Sequence, residues 1–401
     1  MSSFLVRHHH KLLIIGIIFV AFNLRPAITS VGPLIGTIRD AIGLSNWSAG
    51  LITSLPLLAF AFISPIAPAI SRKVGNERAL LFGLVFLLIG ISVRSIAFTF
   101  TLYMGTTMIG MGIAICNVLL PGLIKEKFPD KVGLMTSVYS TCMSTFAALA
   151  SGLSVPLANN LDLGWQLSLF SWAGLVGIGI LIWLYLLPSS RTQPETVQHF
   201  FKPSSNDLIK SPLAWQVTLF MGTQSFLFYV TISWLPEILH DFGLAIGTAG
   251  WLLSYMQFIS LPATFLAPII AGRFKNQQGI ILAIGCFALT GYGGLLLGNS
   301  LPFLVFSITL IGFALGASIS LALAFLSMRS ANHRQAAELS GMAQSFGYLL
   351  AATGPIVIGY LYDATQNWSA PLFTILIVSL VMAGFGLGAG RDQHVVSDQS
   401  S

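Results

Sequence analysis

The chain has 401 residues, 55% hydrophobic and 8% charged, with 39 glycines and 29 phenylalanines. Soluble domains carry about 25% charged residues, so a water-soluble globule is excluded and an integral membrane protein is expected. The net charge of +6 does not point to nucleic acid, because the cations fall in short loops where they set membrane orientation, and Cys116, Cys142 and Cys286 form neither a disulfide framework nor a metal-ligand spacing.

A helix needs roughly 20 mainly apolar residues to cross a bilayer. Scanning at that length predicts twelve spans: 12–38, 47–70, 79–99, 102–124, 132–158, 165–187, 213–237, 245–271, 279–298, 301–327, 337–362 and 368–390. The first follows "VRHHHKLLIIGIIFVAF", which imitates a signal peptide but is not followed by a small-residue cleavage pattern, so it is read as a retained span. His8 to His10 read as part of a basic patch at the membrane edge, since no second ligand cluster supports a metal.

With the N-terminus inside, the cytoplasmic segments hold Arg7, Lys11, Arg72, Lys73, Arg78, Lys125, Lys127, Lys131, Arg191, Lys202, Lys210, Arg273, Lys275, Arg329, Arg334 and Arg391, which is 16 of the 19 basic residues. Arg39 and Arg94 fall toward the outer side. This asymmetry predicts that both termini are cytoplasmic.

Arg25 is the exception. It lies 14 residues from Lys11 and 14 from Arg39, about 21 Å along a helix in either direction, whereas half the hydrocarbon core is about 15 Å. The side chain cannot easily reach either surface, and leaving it against lipid costs at least about 2.5 kcal/mol. It is therefore expected to face a polar cavity between helices. Pro26 removes a backbone donor from the carbonyl of Phe22, and Pro33 does the same to Thr29, so a kinked first span is expected. Thr29 shares the face of Arg25 one turn on, and Gly32 and Gly36 allow close helix approach there.

Further along, Asn117, Tyr139, Gln224, Tyr229, Tyr255 and Gln257 sit near mid-span. Gln344 and Tyr348 are one turn apart on the eleventh span and share a face. Each suits a substrate contact or an interhelical hydrogen bond about equally. With Arg25 and Thr29, the predicted substrate-binding set is Asn117, Gln224, Tyr229, Gln257, Gln344 and Tyr348. Arg25 is expected near Gln224 or Gln344, and Trp234 is expected in the outer aromatic belt. No Asp, Glu or His falls at mid-span; Glu237, Asp241 and Asp363 lie at outer ends, and Glu126 and Glu338 at inner ends. Cationic substrates are thus disfavoured, and an anion or a neutral group rich in acceptors fits better. No catalytic constellation or cofactor motif is visible, which argues against a membrane enzyme.

The segment 188–212 carries Ser, Pro and both charge signs and divides six spans from six. "LSNWSAGLITS" from Leu44 and "LAIGTAGWLLS" from Leu244 align at an offset of 200, as do the Pro-rich span ends "IAPAISRKVG" and "LAPIIAGRFK"; "MIGMGIA" from Met108 and "LIGFALG" from Leu310 open the fourth and tenth spans alike. This pattern predicts two parallel six-helix repeats: an N-terminal bundle at 1–187, a cytoplasmic linker at 188–212, and a C-terminal bundle at 213–401.

Several segments carry a specific resemblance. They are "NLRPAITSVGPLIGTI" (Asn23–Ile38), "LPLLAFAFISPIAPAISRKVGNERAL" (Leu55–Leu80), "GIAICNVLLPGLIKEKFPD" (Gly112–Asp130), "SPLAWQVTLF" (Ser211–Phe220), "WLPEIL" (Trp234–Leu239) and "QAAELSGMAQSFGYLLAATGP" (Gln335–Pro355). Over nearly its whole length the chain resembles the cyanate permease and 2-nitroimidazole transporter branch of the major facilitator superfamily, and looks closer to the nitroimidazole side. The resemblance implies a twelve-helix, all-α transporter of a small polar solute, anionic or rich in acceptors. It implies a monomer in the bacterial cytoplasmic membrane that works by alternating access without a cofactor and can use protons as coupling ion. The superfamily usually has an acidic residue before the basic pair of the loop after span two; here Ser71 stands there, leaving Glu77 to take its place. A broader drug or metabolite exporter is the alternative. A non-transporting sensor is a further one, but the 25-residue linker and short tail leave no room for a signalling domain.

Overall fold

The computed structural model describes residues 3–128, 132–187, 206–298, 300–331 and 333–395. The expected linker is thus described only from residue 206, and the side chains of His8 to His10 lie outside the description. Every regular element among the described residues is helical. In chain order these are α1 (Ser3–Asn23), α2 (Pro26–Thr29), α3 (Ile35–Ile42), α4 (Asn46–Ile63), α5 (Ala67–Val74), α6 (Asn76–Arg94), α7 (Thr99–Lys127), α8 (Val132–Val155), α9 (Gly164–Phe170) and α10 (Ala173–Leu186). After the division come α11 (Asn206–Lys210), α12 (Pro212–Asp241), α13 (Ile246–Ala271), α14 (Gln278–Leu297), α15 (Leu301–Met328), α16 (His333–Thr365) and α17 (Ser369–Ala389).

Among the described residues, eleven stretches are long and apolar enough to span a bilayer. The first, Lys11–Ile42, runs through α1, α2 and α3. The expected seventh span is α12. It has 30 residues, but its polar side chains leave it outside that set. The reason is burial: from Gly222 to Leu239 only Phe228 is not buried. A helix enclosed by other helices has no need of a lipid-compatible surface, whereas α10 presents Leu181 and Tyr185 outward and α17 presents Phe373 and Ile377. With α12 included, the chain is an all-α, twelve-span membrane protein.

Proline explains where the expected spans and the helices differ. The second span was expected to run to residue 70, but α4 ends at Ile63 and α5 starts at Ala67. Pro65 and Pro68 fall in this gap and in the first turn after it, where each removes a donor from the ladder. Similarly α8 gives way to a π-helical turn at Pro156–Asn160.

Helices before and after the division meet chiefly along two seams, α4 against α16 and α8 against α13. α12 packs on α16 and α13 and also meets the broken segment of the first span. The expected close approach at Gly32 is present: a Cβ there would overlap the carbonyl of Ile232 on α12.

Candidate functional site

The site begins with the break in the first span. α1 stops at Asn23, and Arg25 precedes Pro26, the first residue of α2. Neighbouring helices satisfy the groups that the break exposes. The carbonyl of Thr29, deprived of its helical donor by Pro33, accepts from Ser151 Oγ on α8 at 3.1 Å. Thr29 Oγ1 donates to the carbonyl of Ala147 at 2.9 Å. The carbonyl of Ala27 accepts from Arg94 Nη1 on α6 at 2.5 Å. Asn23 Nδ2 donates to the carbonyls of Phe19 at 2.6 Å and Leu175 at 3.2 Å. The break is therefore a fixed feature, held from three sides.

Arg25 extends toward α12. Its Nη1 donates to the phenolic oxygen of Tyr229 at 3.0 Å. Its guanidinium carbon lies 5.8 Å from the ring centroid of Phe228. Tyr348 on α16 is its other close electrostatic neighbour. That ring meets Phe60 of α4 edge-on, centroids 5.5 Å apart, and Phe228 meets Tyr229 edge-on at 5.2 Å. Among the described residues, no carboxylate lies within ion-pair distance of Arg25. A guanidinium carries five donors in a rigid fork. One is given to Tyr229, and the group is only half-buried. A cation held by hydroxyls and rings, without a counter-charge, is suited to receive one.

The other predicted residues are distributed differently. Gln224, expected near Arg25, is fully buried and donates to Ser225 Oγ at 2.7 Å. It precedes Tyr229 by five residues, and five helical steps of about 100° place the two on different faces. Gln344 is partly exposed and donates to Ser340 Oγ at 2.9 Å. Gln257 donates to Ser151 Oγ at 2.7 Å, so it joins the seam between α8 and α13. Thr29 belongs to the same contact. Asn117 on α7 is partly exposed. The structure therefore brings Tyr229 and Tyr348 to Arg25, and Thr29 and Gln257 to Ser151.

Trp234 is a correction. It is fully buried rather than in an outer belt, and its Nε1 donates to the carbonyl of Pro355 at 3.0 Å. Belt residues need one wet edge; this indole lies between α12 and α16. Sequence reasoning also missed Arg94, which is 1% exposed although it ends its helix. Its Nε and Nη2 have no partner among the described residues. The sequence carries no signal for this, because which span α6 faces depends on the packing.

At the end of the bundle carrying the basic loops, Glu77 pairs with Lys127 of α7. Its Oε1 lies 3.1 Å from Lys127 Nζ, and Lys127 also meets Glu126 at 2.6 Å. Asn76 Nδ2 donates to Glu126 Oε2 at 2.9 Å, and Ser71 is hydrogen-bonded to Asn76. Burial works against the charge of Lys127, but the hydrogen bond to Glu126 and the charge of Glu77 outweigh it and hold the ammonium above its ordinary pKa.

Comparison with known proteins agrees with this architecture. A family model described as "Major Facilitator Superfamily" matches residues 13–277 and 222–393. The chain is 52% identical over 387 residues to the "Uncharacterized transporter YycB" of Bacillus subtilis (strain 168), covering 96% of this chain and 95% of that one. It is 43% identical over 400 residues to the 2-nitroimidazole transporter of Escherichia coli (strain K12), covering 98% and 99%. Identity to the "Cyanate transport protein CynX" of the same organism is 23% over 359 residues, covering 88% and 90%. The nitroimidazole side of the resemblance is thus the nearer one. Among solved structures, a bacterial homologue of the human lysosomal transporter Spinster shares the fold with a TM-score of 0.76 at 14% identity, covering 98% of each chain.

Proposed function

The chain belongs to the major facilitator superfamily of membrane transporters, and from that premise we propose that it is a secondary transporter of a small, planar, acceptor-bearing solute, bound at Arg25 and carried by alternating access across a bacterial cytoplasmic membrane. The observation that carries this reading is the 3.0 Å hydrogen bond from Arg25 to Tyr229, which joins the first and seventh spans beside Phe228 and Tyr348. A nitro or carboxylate group presents two coplanar oxygens that match the guanidinium fork. The rings of Phe228, Tyr229, Tyr348 and Phe60 supply flat apolar walls of the kind that receive a small aromatic body. A linear anion such as cyanate has no use for such walls, so the geometry favours a nitroimidazole-like or aromatic carboxylate solute.

The two bundles at 1–187 and 213–401 act as the moving units, with the basic end cytoplasmic. In the structure, the hydrogen bonds between α3 or α4 and α12 or α16 lie toward the opposite end, around Asn46 and Glu237 and, one turn further in, from Ser233 Oγ to Thr53 Oγ1 at 2.8 Å. On this orientation the conformation is closed to the outside. The test is a panel of 2-nitroimidazole, benzoate and cyanate in proteoliposomes under imposed pH and voltage gradients, in both directions. Transport of cyanate alone would overturn the aromatic reading.

A further inference from the structure

At the end of the bundle away from the basic loops, carboxylates of α12 and α16 meet donors of α3 and α4. Asp363 accepts from the backbone N–H of Asn46 at 3.1 Å, Asn46 Nδ2 at 2.7 Å and the N–H of Trp47 at 2.9 Å. It therefore sits on the N-terminus of α4, where the helix dipole favours an anion. Glu237 is held less well. Its side chain is 7% exposed, and Oε2 lies 3.3 Å from Arg39 Nη1. That guanidinium is shared: it also gives 2.8 Å to Asp40 and 2.6 Å to Asn46 Oδ1. The other side of the Glu237 carboxylate lies against Gly36, where a Cβ would overlap it. The remaining charged or titratable groups facing Glu237 are Asp40 on α3, His240 and Asp241 on its own helix, and Tyr362 on α16. Asp40 and Asp241 add like charge, while Tyr362 and Trp368 Nε1 both donate to Asp241, at 2.8 and 2.7 Å.

We propose that Glu237 is a proton-binding site whose protonation releases the outer end of the bundle, making the proton the coupling ion. The proposal rests on the alternating-access reading above. A proton taken from the outside converts the carboxylate to a neutral acid. The ionic part of the link to Arg39 is lost, and Arg39 keeps its charge beside Asp40. Asp363 is the contrasting group, because protonating it sacrifices a helix-capping anion with three N–H donors. The weaker carboxylate thus acts as the trigger and the stronger one as the clasp that guides reclosure. No carboxylate at mid-span is needed for such coupling, since the proton acts on the gate and the solute acts at Arg25.

The test uses spin-label distances in the full-length protein, reconstituted in lipid with Cys116, Cys142 and Cys286 replaced by serine, and needs no solute. One label pair, Ala41→Cys with Ala364→Cys, spans the outer end at exposed positions of α3 and α16. A second pair, Lys73→Cys with Arg273→Cys, spans the basic end. Lowering the pH from about 8 to about 5 should increase the long-distance population of the outer pair several-fold and shorten the inner pair. Glu237→Gln should show the long outer distance at every pH. Glu237→Asp should retain the pH response, which separates lost titration from misfolding, and His240→Gln should leave it intact. If the inner pair moves but the outer response survives in Glu237→Gln, or vanishes in His240→Gln, the proton site is wrong and the alternating-access reading stands. If neither pair moves at any pH, both fail.

Discussion

Arg25 and Tyr229 lie 204 positions apart in the chain and 3.0 Å apart in the fold, guanidinium to phenol. The contact couples the first span to the seventh, two residues from the Ala27 carbonyl that Arg94 holds. A ligand with two acceptor oxygens would compete with the phenol for the same fork of donors.

Arg25→Lys should retain weak transport, because the charge stays while the bidentate fork is lost. A reduction of roughly 10- to 100-fold in kcat/KM is expected, the scale of one charge-assisted hydrogen bond. Arg25→Gln should retain almost none with benzoate. With 2-nitroimidazole it should keep measurable transport, since the amide still donates to nitro oxygens. Uptake in proteoliposomes distinguishes the cases, and parental rates in both variants would make Arg25 structural.

Tyr229→Phe removes only the hydroxyl that accepts from Arg25. The ring contact with Phe228 remains, so folding should be unchanged. A hydrogen bond to a charged group is worth about 1.5–3 kcal/mol, and KM should change by roughly 10-fold or more while the thermal midpoint in detergent stays put. A large fall in the midpoint would show instead that the phenol braces the bundle.

Ser151→Ala should do the reverse. It strands the Thr29 carbonyl and removes the acceptor of Gln257 Nε2. Each buried group left unpaired costs about 1–3 kcal/mol, so the thermal midpoint should drop, with solute KM little altered. Gln257→Leu should relieve part of that loss when combined with Ser151→Ala. Strict additivity of the two changes would argue against the contact.

Lys127→Gln should destabilise the protein at neutral pH by removing the cation beside the buried Glu77 at the basic end. Because Lys127 titrates above its ordinary value when folded, its contribution is fully present below the unfolded pKa of about 10.4 and is lost only as pH rises through the higher folded value. Parent and variant midpoints should therefore differ across the neutral range and converge in strong alkali. Equal midpoints at pH 7 would remove the pair from the stability of this end.

Orientation is checked separately. Asp40→Cys should react with an impermeant maleimide applied to intact cells, and Lys73→Cys should not; both positions are exposed. The opposite pattern would invert the topology and, with it, the assignment of the closed end as outer.

Much of this architecture was legible in the chain alone. Bilayer thickness fixes the length of a span, so eleven of twelve expected spans are apolar stretches of sufficient length. Proline chemistry fixed the break after Asn23, because a missing N–H acts locally whatever surrounds it. The depth of Arg25 followed from counting residues to Lys11 and Arg39. Which groups meet across the bundle was not legible, since partners on different helices depend on rotation and crossing angle, which leave no periodic mark. For that reason Tyr229 rather than Gln224 reached Arg25, Trp234 went inside, and Arg94 was drawn to the carbonyl of Ala27. Composition and backbone chemistry determined that the chain spans a membrane, how often, and where it breaks. Only the packing of α3 and α4 against α12 and α16 decided that Arg39 and Glu237 face each other, because that packing buries a carboxylate that looked like an exposed span end and leaves it a cation from another helix as partner.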